Sequence, residues 1–203
     1  MTYSNFLDGL RGDTAVEWPA ERLVAAEIAK RLNVSRVPVR EAFRSLAALG
    51  LADVTPNRGA TVMGASSPAD LLTVLHARAR LEPWAMSIAA IRRTGDDLAS
   101  IADQIRLGRA ASRSGDVLGA IHAHAHLLEA FAQAVHDRAA EAALRPLYSL
   151  TGAIVTRTFR AVEVDGWDGH ERVLDALRAS DESRAAGLVT DHLEAMIAVV
   201  VSL

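Results

Sequence analysis

The sequence predicts a mainly α-helical protein in two parts: a small N-terminal part ending in a β-hairpin, and an all-helical antiparallel bundle of about six helices. Three observations lead to this prediction. Two short amphipathic helical patterns flank a turn near residue 33, and a hairpin pattern containing Gly and Pro follows them. Beyond residue 66, each segment carries apolar residues at three-to-four spacing. A chain of 203 residues is long enough for two hydrophobic cores.

Composition and charge limit the classes of function. The chain has no cysteine, so disulfides and thiolate metal sites are excluded, and its seven histidines are the soft ligands that remain. No apolar run is long enough for a membrane span, and residues 1–10 do not resemble a signal peptide, so we predict a cytoplasmic protein without membrane partners. The net charge is -3, yet residues 21–60 carry seven basic and four acidic side chains. We therefore expect a polyanion to meet the N-terminal part only.

The N-terminal helices form a recognisable pair. Residues 25–32 predict a short helix, Asn33 tolerates the left-handed conformation of a tight turn, and Ser35 is placed to cap the next helix. That second helix carries arginines every four residues, with an apolar stripe on its other face. The arginines are Arg36, Arg40 and Arg44, and the stripe consists of Val39, Phe43, Leu46 and Leu49. Helix, turn and helix predict a helix-turn-helix whose second helix enters a DNA major groove.

A β-hairpin is predicted directly after this pair. Gly50 ends the second helix, and residues 51–54 and 60–63 are strand-like runs joined by T-P-N-R-G. The hairpin would form a wing with Arg58 at its tip, near phosphate or the minor groove of DNA. A short or displaced helix at residues 6–10 precedes the pair.

The run S-R-V-P-V-R-E-A-F-R-S-L-A-A-L-G-L, followed by P-N-R-G-A-T-V, resembles the winged-helix domain of GntR-type bacterial transcription regulators. The resemblance implies contact with a double-stranded DNA operator. We expect Arg36 and Arg40 to reach base edges, because Arg can grip guanine through two hydrogen bonds, and Ser35, Arg44 and Arg58 mainly to position the DNA backbone. The predicted DNA-binding residues are Ser35, Arg36, Pro38, Arg40, Arg44, Arg58 and Gly59.

A domain boundary is expected at residues 65–66. Residues 64–67 are small, and S-P-A-D at residues 67–70 is a strong helix start, which gives a winged helix-turn-helix domain at 1–65 and a helical domain at 66–203. The predicted helices of the second domain span residues 71–91, 96–112, 116–135, 137–159, 167–179 and 181–200. Short connections between them predict the antiparallel bundle.

Three runs in this second domain resemble landmarks of the FCD branch of the GntR family: L-H-A-R-A-R-L-E-P-W-A, G-H-E-R-V-L-D-A-L-R-A-S-D and D-H-L-E-A-M. The resemblance covers nearly the whole chain. It implies a C-terminal domain that binds a small effector and forms a homodimer.

Three histidines fall on apolar stripes of three different predicted helices: His124, His170 and His192. A single such histidine is most often a hydrogen-bonded core residue. Three histidines that converge in one bundle point instead to an anion site or a divalent metal site. Neutral imidazole is a suitable ligand for Zn, Ni, Mn or Fe.

The resemblance bears on this metal site. Metal-binding members of the branch carry an Asp or Asn and, four residues later, a His, and these positions are His124 and Leu128 here. Their two further histidines match His170 and His192. Three outcomes stay open: a three-His site completed by water or effector, a rearranged site using His122 or His126, or no metal.

Arg78 matches the arginine with which family members often hold an effector carboxylate. Its helical neighbours are apolar, so its guanidinium needs an anionic partner or a route to solvent. The alternative is an ion pair with Glu82, four residues later.

The sequence thus predicts a homodimeric, ligand-responsive transcription regulator controlled by a small carboxylate. One alternative is a regulator whose bundle is metal-free or senses nothing and serves only dimerisation. Another is a metalloenzyme using H-A-H-A-H, but positions two apart on a helix point about 200° apart, so these histidines cannot all face one ion. The chain also lacks H-E-x-x-H and a phosphate-binding glycine loop, and we expect no enzymatic activity.

Overall fold

A computed structural model describes residues 22–31, 33–48, 52–55, 59–62, 68–158 and 166–201. The chain divides into two compact units, Met1–Ser67 and Pro68–Leu203. Several predicted features lie outside the described residues. They are the helix at residues 6–10, Leu49 and Gly50 at the end of the second helix, the loop residues 56–58 with Arg58, and the linker residues 64–67.

The described residues of the first unit form two helices and a three-stranded antiparallel sheet. Its elements in chain order are β1 (Arg22–Leu23), α1 (Ala25–Arg31), α2 (Arg36–Ala48), β2 (Ala52–Thr55) and β3 (Gly59–Val62). The sheet order is β1-β3-β2, with Thr55 opposite Gly59 and Leu23 opposite Ala60. A small core of Ala29, Val39, Phe43 and Ala60 lies between the helices and the sheet.

Two details of this unit differ from the prediction. The hairpin strands are shifted by one residue, so β2 ends at Thr55 and β3 begins at Gly59, whose φ of 97° suits glycine. The two-residue strand β1, which pairs with β3, was not predicted. A strand this short shows no alternating pattern that a sequence reading could detect.

Six helices make up the described part of the second unit. They are α3 (Pro68–Arg92), α4 (Gly95–Ser114), α5 (Val117–Ala134), α6 (Arg138–Thr158), α7 (Gly166–Arg178) and α8 (Glu182–Val201). Each end lies within three residues of its predicted position. Helix α3 packs along α8, α4 packs along α5, α6 contacts α3 and α5, and α7 contacts α4 and α8. The predicted fold class is confirmed.

Local sequence signals start and stop these helices. Thr94 and Asp97 form a reciprocal capping box at the start of α4, because each side chain bonds the other residue's backbone N–H. Gly115, with φ of 73°, ends α4 in the left-handed conformation. Asp116 then accepts a bond from the Gly119 N–H at 2.9 Å and caps α5.

The core of the bundle is rich in alanine, whose small side chain permits close contacts between helices, and leucine fills much of the rest. Among the described residues, no helix is both long and apolar enough to cross a membrane.

Candidate functional site

Helix α2 presents an exposed arginine face. Arg36, Arg40 and Arg44 are exposed, whereas Val39 and Phe43 on the other side are 5% and 2% exposed. The four-residue spacing of the arginines therefore gives the predicted arrangement, with guanidinium groups outward and apolar side chains in the core. The guanidinium of Arg44 is ion-paired with Glu41 one turn earlier.

The geometry around α2 is that of a helix-turn-helix. Asn33 has a φ of 51°, which is the left-handed conformation predicted for the turn between α1 and α2. Ser35 and Pro38 are exposed at the start of α2. Proline is tolerated there because the first N–H groups of a helix have no partner within it. Gly59 begins strand β3, directly after the predicted wing tip.

Three imidazoles meet inside the bundle of the second unit. The ring centroids of His124 and His170 are 5.4 Å apart, and those of His170 and His192 are 4.8 Å apart. His170 is buried, and the other two are partly buried. Helices α5, α7 and α8 each contribute one ring, as their apolar stripes predicted.

These imidazoles are neutral at neutral pH. Burial, with help from the charge of Arg78, lowers the pKa of His124 to about 3 and that of His192 to about 4. Burial and the two neighbouring histidines lower the pKa of His170 well below its usual value. A buried base loses its proton readily because the low-dielectric interior disfavours the charged form.

Arg78 lies in the same interior and is paired with Glu82. Its Nε donates to Glu82 Oε2 at 2.8 Å, its Nη2 donates to Glu82 Oε1 at 3.2 Å, and its Nη1 donates to Thr151 Oγ1 at 3.3 Å. The side chain of Arg78 is 1% exposed and that of Glu82 is 4% exposed. Burial alone lowers the pKa of Arg78, but the Glu82 carboxylate outweighs it and the net shift is upward. The alternative ion pair is thus present.

An indole closes one side of the histidine cluster. Trp167, at the start of α7, lies edge-on to His124 and His170, with ring centroids 6.2 and 5.9 Å away. Its Nε1 donates to Ser112 Oγ at 3.0 Å. A methyl group at Gly108 would lie 2.0 Å from the indole, so the glycine makes room for it. This contact between Trp167 and Gly108 was not predicted from the sequence.

The remaining histidines have other surroundings. His122 is buried and His126 is partly buried on α5, whereas His76 is exposed on α3. His136 lies between α5 and α6, and its Nε2 is 2.7 Å from Asp97 Oδ2. His136 has a φ of 49°. Nothing in the sequence predicts that His136 and Asp97 pair.

The histidine cluster fits a metal only in part. Neutral imidazoles are suitable ligands, but Leu128 at the expected ligand position is 1% exposed among apolar side chains. The cluster contributes no carboxylate, and Arg78 places positive charge nearby. Within the described ranges, no group of three or more His, Cys, Asp or Glu side chains could hold a metal ion as placed.

Comparison with known families decides the identity of the chain. Residues 18–62 match the family described as "Bacterial regulatory proteins, gntR family", and residues 73–195 match the FCD domain family. The chain belongs to the GntR family, FCD branch. The two matched families are families of transcription regulators, not of enzymes. The protein is a DNA-binding transcription regulator of the GntR/FCD type.

Individual GntR relatives agree with this assignment. The chain is 29% identical over 176 residues to a probable D-xylose utilization operon transcriptional repressor of Paenarthrobacter nicotinovorans, covering 84% of this chain and 75% of that one. It is 38% identical over 87 residues to the Nta operon transcriptional regulator of Aminobacter aminovorans, covering 42% of this chain and 40% of that one.

Known structures share the GntR/FCD fold. E. coli McbR/YncC superposes with a TM-score of 0.77 at 22% identity, covering 98% of this chain and 95% of that one. A GntR transcriptional regulator from Rhodococcus sp. RHA1 gives a TM-score of 0.73 at 24% identity, covering 97% of this chain and 92% of that one.

Proposed function

We propose that this regulator changes its affinity for an operator when a small carboxylate occupies the interior of the C-terminal bundle. The observation that carries the proposal is the buried guanidinium of Arg78. A guanidinium has five N–H donors, and three of those of Arg78 bond Glu82 and Thr151. The other two have no partner among the described residues.

Those two donors suit a carboxylate. One belongs to Nη1 and one to Nη2, and a guanidinium can offer such a pair to both oxygens of a single carboxylate. The pair with Glu82 holds Arg78 in place without using all of its donors. Arg78 can therefore bind an effector and keep its partner.

DNA binding is proposed to use the exposed face of α2. Arg36 and Arg40 would contact base edges, and Ser35, Arg44 and Arg58 would mainly position the DNA backbone, with Pro38 and Gly59 completing the proposed DNA-binding set. A homodimer would place two such helices on the half-sites of a palindromic operator. Since the chromosome of a bacterium lies in the cytoplasm, we propose that location for the protein.

Ligand control requires unequal affinity of the effector for two arrangements of the protein. A coupling free energy of about 1 to 3 kcal/mol between the bundle and the DNA-binding units would change operator affinity about 5- to 150-fold. The alternative is a bundle that senses nothing and serves only dimerisation.

The DNA-binding part is tested with full-length protein and duplexes selected from a random library. Replacing Arg40 with Ala should abolish specific binding in an anisotropy titration, because it removes one bidentate base contact in each half-site. The matched control is Arg106→Ala, which removes an exposed arginine of α4 that is paired with Asp103. Unchanged affinity of the Arg40→Ala variant for the selected duplex would overturn the assignment of α2.

The effector part is tested with a panel of small carboxylates. We expect at least one to raise the melting temperature of the protein and to change its operator affinity. The Arg78→Lys variant should lose the response, because lysine keeps the charge but lacks the planar fork. If no carboxylate changes either quantity, the non-sensing bundle is the better description.

Metal binding is a separate proposal. His124, His170 and His192 would hold a divalent ion of Zn, Ni, Mn or Fe, with water or the effector completing the site. The proposed DNA binding and the proposed binding of a carboxylate by Arg78 do not depend on this ion. Elemental analysis of protein purified without chelator tests this proposal. Less than about one-tenth of a metal equivalent per chain, after dialysis against each ion, would overturn it.

A further inference from the structure

Helix α2 carries an exposed valine among its arginines. Val37, the second residue of the helix, is 67% exposed, compared with 46% for Val34 and 40% for Val54 in the same unit. The core of the unit takes Val39 and Phe43 from this helix instead. Single exposed valines are common on protein surfaces. The position of Val37 on the helix distinguishes it from such scattered residues.

Val37 lies in the middle of the outward face of α2. Successive residues of an α-helix are about 100° apart, so Val37 points about 160° away from Val39 and about 120° away from Phe43. By the same count it is only about 60° from Arg40 and about 20° from Arg44. Both arginines are exposed. The valine is therefore placed within the guanidinium face and not at its edge.

The arginines around Val37 limit what it can contact. They bring this face of α2 to DNA, whose phosphates and base edges are mostly polar. In the major groove every base pair presents hydrogen-bond donors and acceptors, and thymine alone adds an apolar group, its 5-methyl. Valine has no side-chain donor or acceptor, and its surface consists of methyl groups. Its side chain therefore suits the methyl group of thymine and no other feature of the groove.

The place of Val37 along the helix also fits contact with a base. The N-terminal residues of a recognition helix reach base edges, and Val37 follows Arg36 in the first turn of α2. Along the helix axis Val37 is about 4.5 Å from Arg40, and neighbouring base pairs are about 3.4 Å apart. The thymine should therefore lie within about two base pairs of a guanine that an arginine contacts.

We infer that Val37 is a specificity-determining residue of the DNA-binding helix, whose methyl groups pack against the 5-methyl group of one thymine in each half-site of the operator. The inference rests on the proposed use of α2 in DNA binding. It adds to the operator a base that the arginines do not read.

The test removes one methyl group at a time from the DNA. Full-length protein is titrated by anisotropy against the duplex selected from the random library, with each thymine replaced in turn by deoxyuridine, which keeps the base pair and lacks only the 5-methyl group. Wild type should lose affinity by about 3- to 5-fold at one thymine per half-site, the effect of one methyl group taken from an apolar contact. Guanines read by an arginine are located with 7-deazaguanine, which lacks the N7 acceptor.

The Val37→Ala variant tests the protein side of the contact. Alanine is a strong helix former, so α2 should stay intact while both Cγ methyl groups are removed. This variant should bind the thymine and deoxyuridine duplexes within about two-fold of each other. An effect of deoxyuridine on the stiffness of the DNA would persist in the variant, so the comparison separates the two causes.

The matched control is Val117→Ala at the start of α5. It makes the same change at a valine that is 46% exposed in the second unit, and it should keep the wild-type preference for thymine. If Val117→Ala loses the preference as Val37→Ala does, the effect is not specific to Val37 and the inference is wrong.

The other outcomes separate this inference from the proposed function. If no thymine is sensitive in wild type, if the sensitive thymine lies far from every guanine that an arginine reads, or if Val37→Ala keeps the preference, Val37 does not read thymine. DNA binding through Arg40 then stands. If Arg40→Ala binds the selected duplex as wild type does, the assignment of α2 and this inference are both overturned.

Discussion

At the level of single residues, the pair of Arg78 and Glu82 shows how one spacing can serve two purposes. Four residues apart on a helix, the side chains can form an ion pair, and an arginine on an apolar face can also hold a ligand. The sequence left both options open. The structure contains the pair, and the contact from Thr151 on α6 fixes which donors remain. That count depends on packing between helices, which the spacing alone does not report.

Glu82→Ala should destabilise the bundle strongly. It removes the carboxylate but leaves the guanidinium of Arg78 buried and unpaired, which typically costs about 3 to 5 kcal/mol. Urea unfolding followed by circular dichroism at pH 7 measures the loss.

The control for this prediction is the double variant Arg78→Met/Glu82→Leu. Replacing both charges with apolar side chains of similar size leaves no unpaired ion, so most of the stability should return. If Glu82→Ala lowers the free energy of unfolding by less than about 1 kcal/mol, the pair is more accessible to water than its 1% and 4% exposure indicates.

His136 and Asp97 mark a limit of sequence reasoning at this scale. They are 39 positions apart and meet because His136 has a left-handed backbone at the end of α5. Burial tends to raise the pKa of Asp97, but hydrogen bonds from Thr94 and His136 outweigh it and lower the pKa. Thr94 and Asp97 have the three-residue spacing of a capping box, whereas nothing in the sequence indicates that His136 joins them.

At the level of elements, the contact between α4 and α7 depends on a glycine. Trp167 fits against Gly108, its N–H bonds Ser112, and Arg109 forms ion pairs with Asp168 and Glu171 one turn along. The indole also borders the histidine cluster. A substitution that disrupts this contact should therefore affect both the packing of α4 on α7 and the histidine cluster.

Gly108→Ala should destabilise the bundle by about 1 to 3 kcal/mol, the usual cost of overpacking, because the new methyl would lie 2.0 Å from the Trp167 ring. Thermal unfolding and near-ultraviolet circular dichroism report the loss and the displaced indole. Gly187→Ala on α8 is the control: it meets nothing within 4 Å and should stabilise by about 0.5 to 1 kcal/mol. Equal stability of the two variants would contradict this account.

Periodicity predicted the helices well because each long helix repeats its apolar spacing many times. The two-residue strand β1 offers no such repetition. It pairs with β3, which follows α1 and α2 in the chain, so the pairing depends on how these helices fold. The shift of the hairpin by one residue has a similar origin, since the φ of 97° at Gly59 determines where β3 begins.

At the level of the whole molecule, three neutral histidines in one interior make stability depend on pH. In the unfolded chain each has a pKa near 6.5, whereas the folded values are about 3 for His124, about 4 for His192 and well below normal for His170. Between these limits the unfolded state binds more protons. The free energy of unfolding must therefore fall as pH falls from about 6.5 towards 4.

Each of the three histidines should contribute up to about 1.4 kcal/mol per pH unit in that window. Urea unfolding of chelator-treated protein at pH 7.0, 6.0 and 5.0 measures the slope, and the His170→Leu variant should show a smaller one. A free energy of unfolding that is flat from pH 7 to pH 5 would contradict the neutral, buried assignment of the cluster.

The fold class and the exposed arginine face could be predicted from the sequence, because the arginine spacing on α2 and the six repeating helical patterns are both local signals. The convergence of His124, His170 and His192 also followed from their stripes. Tyr148, whose ring lies against the guanidinium of Arg78, and Trp167 were missed because aromatic residues on a helix are common core residues, and only their neighbours distinguish these two.

The fit between Gly108 and Trp167 also couples the two positions in descendants of this protein. Alanine at Gly108 alone would clash with the indole, and a small side chain at Trp167 alone would leave a cavity and remove the hydrogen bond to Ser112. Because a domain is only marginally stable, we expect the two positions to change together rather than one at a time.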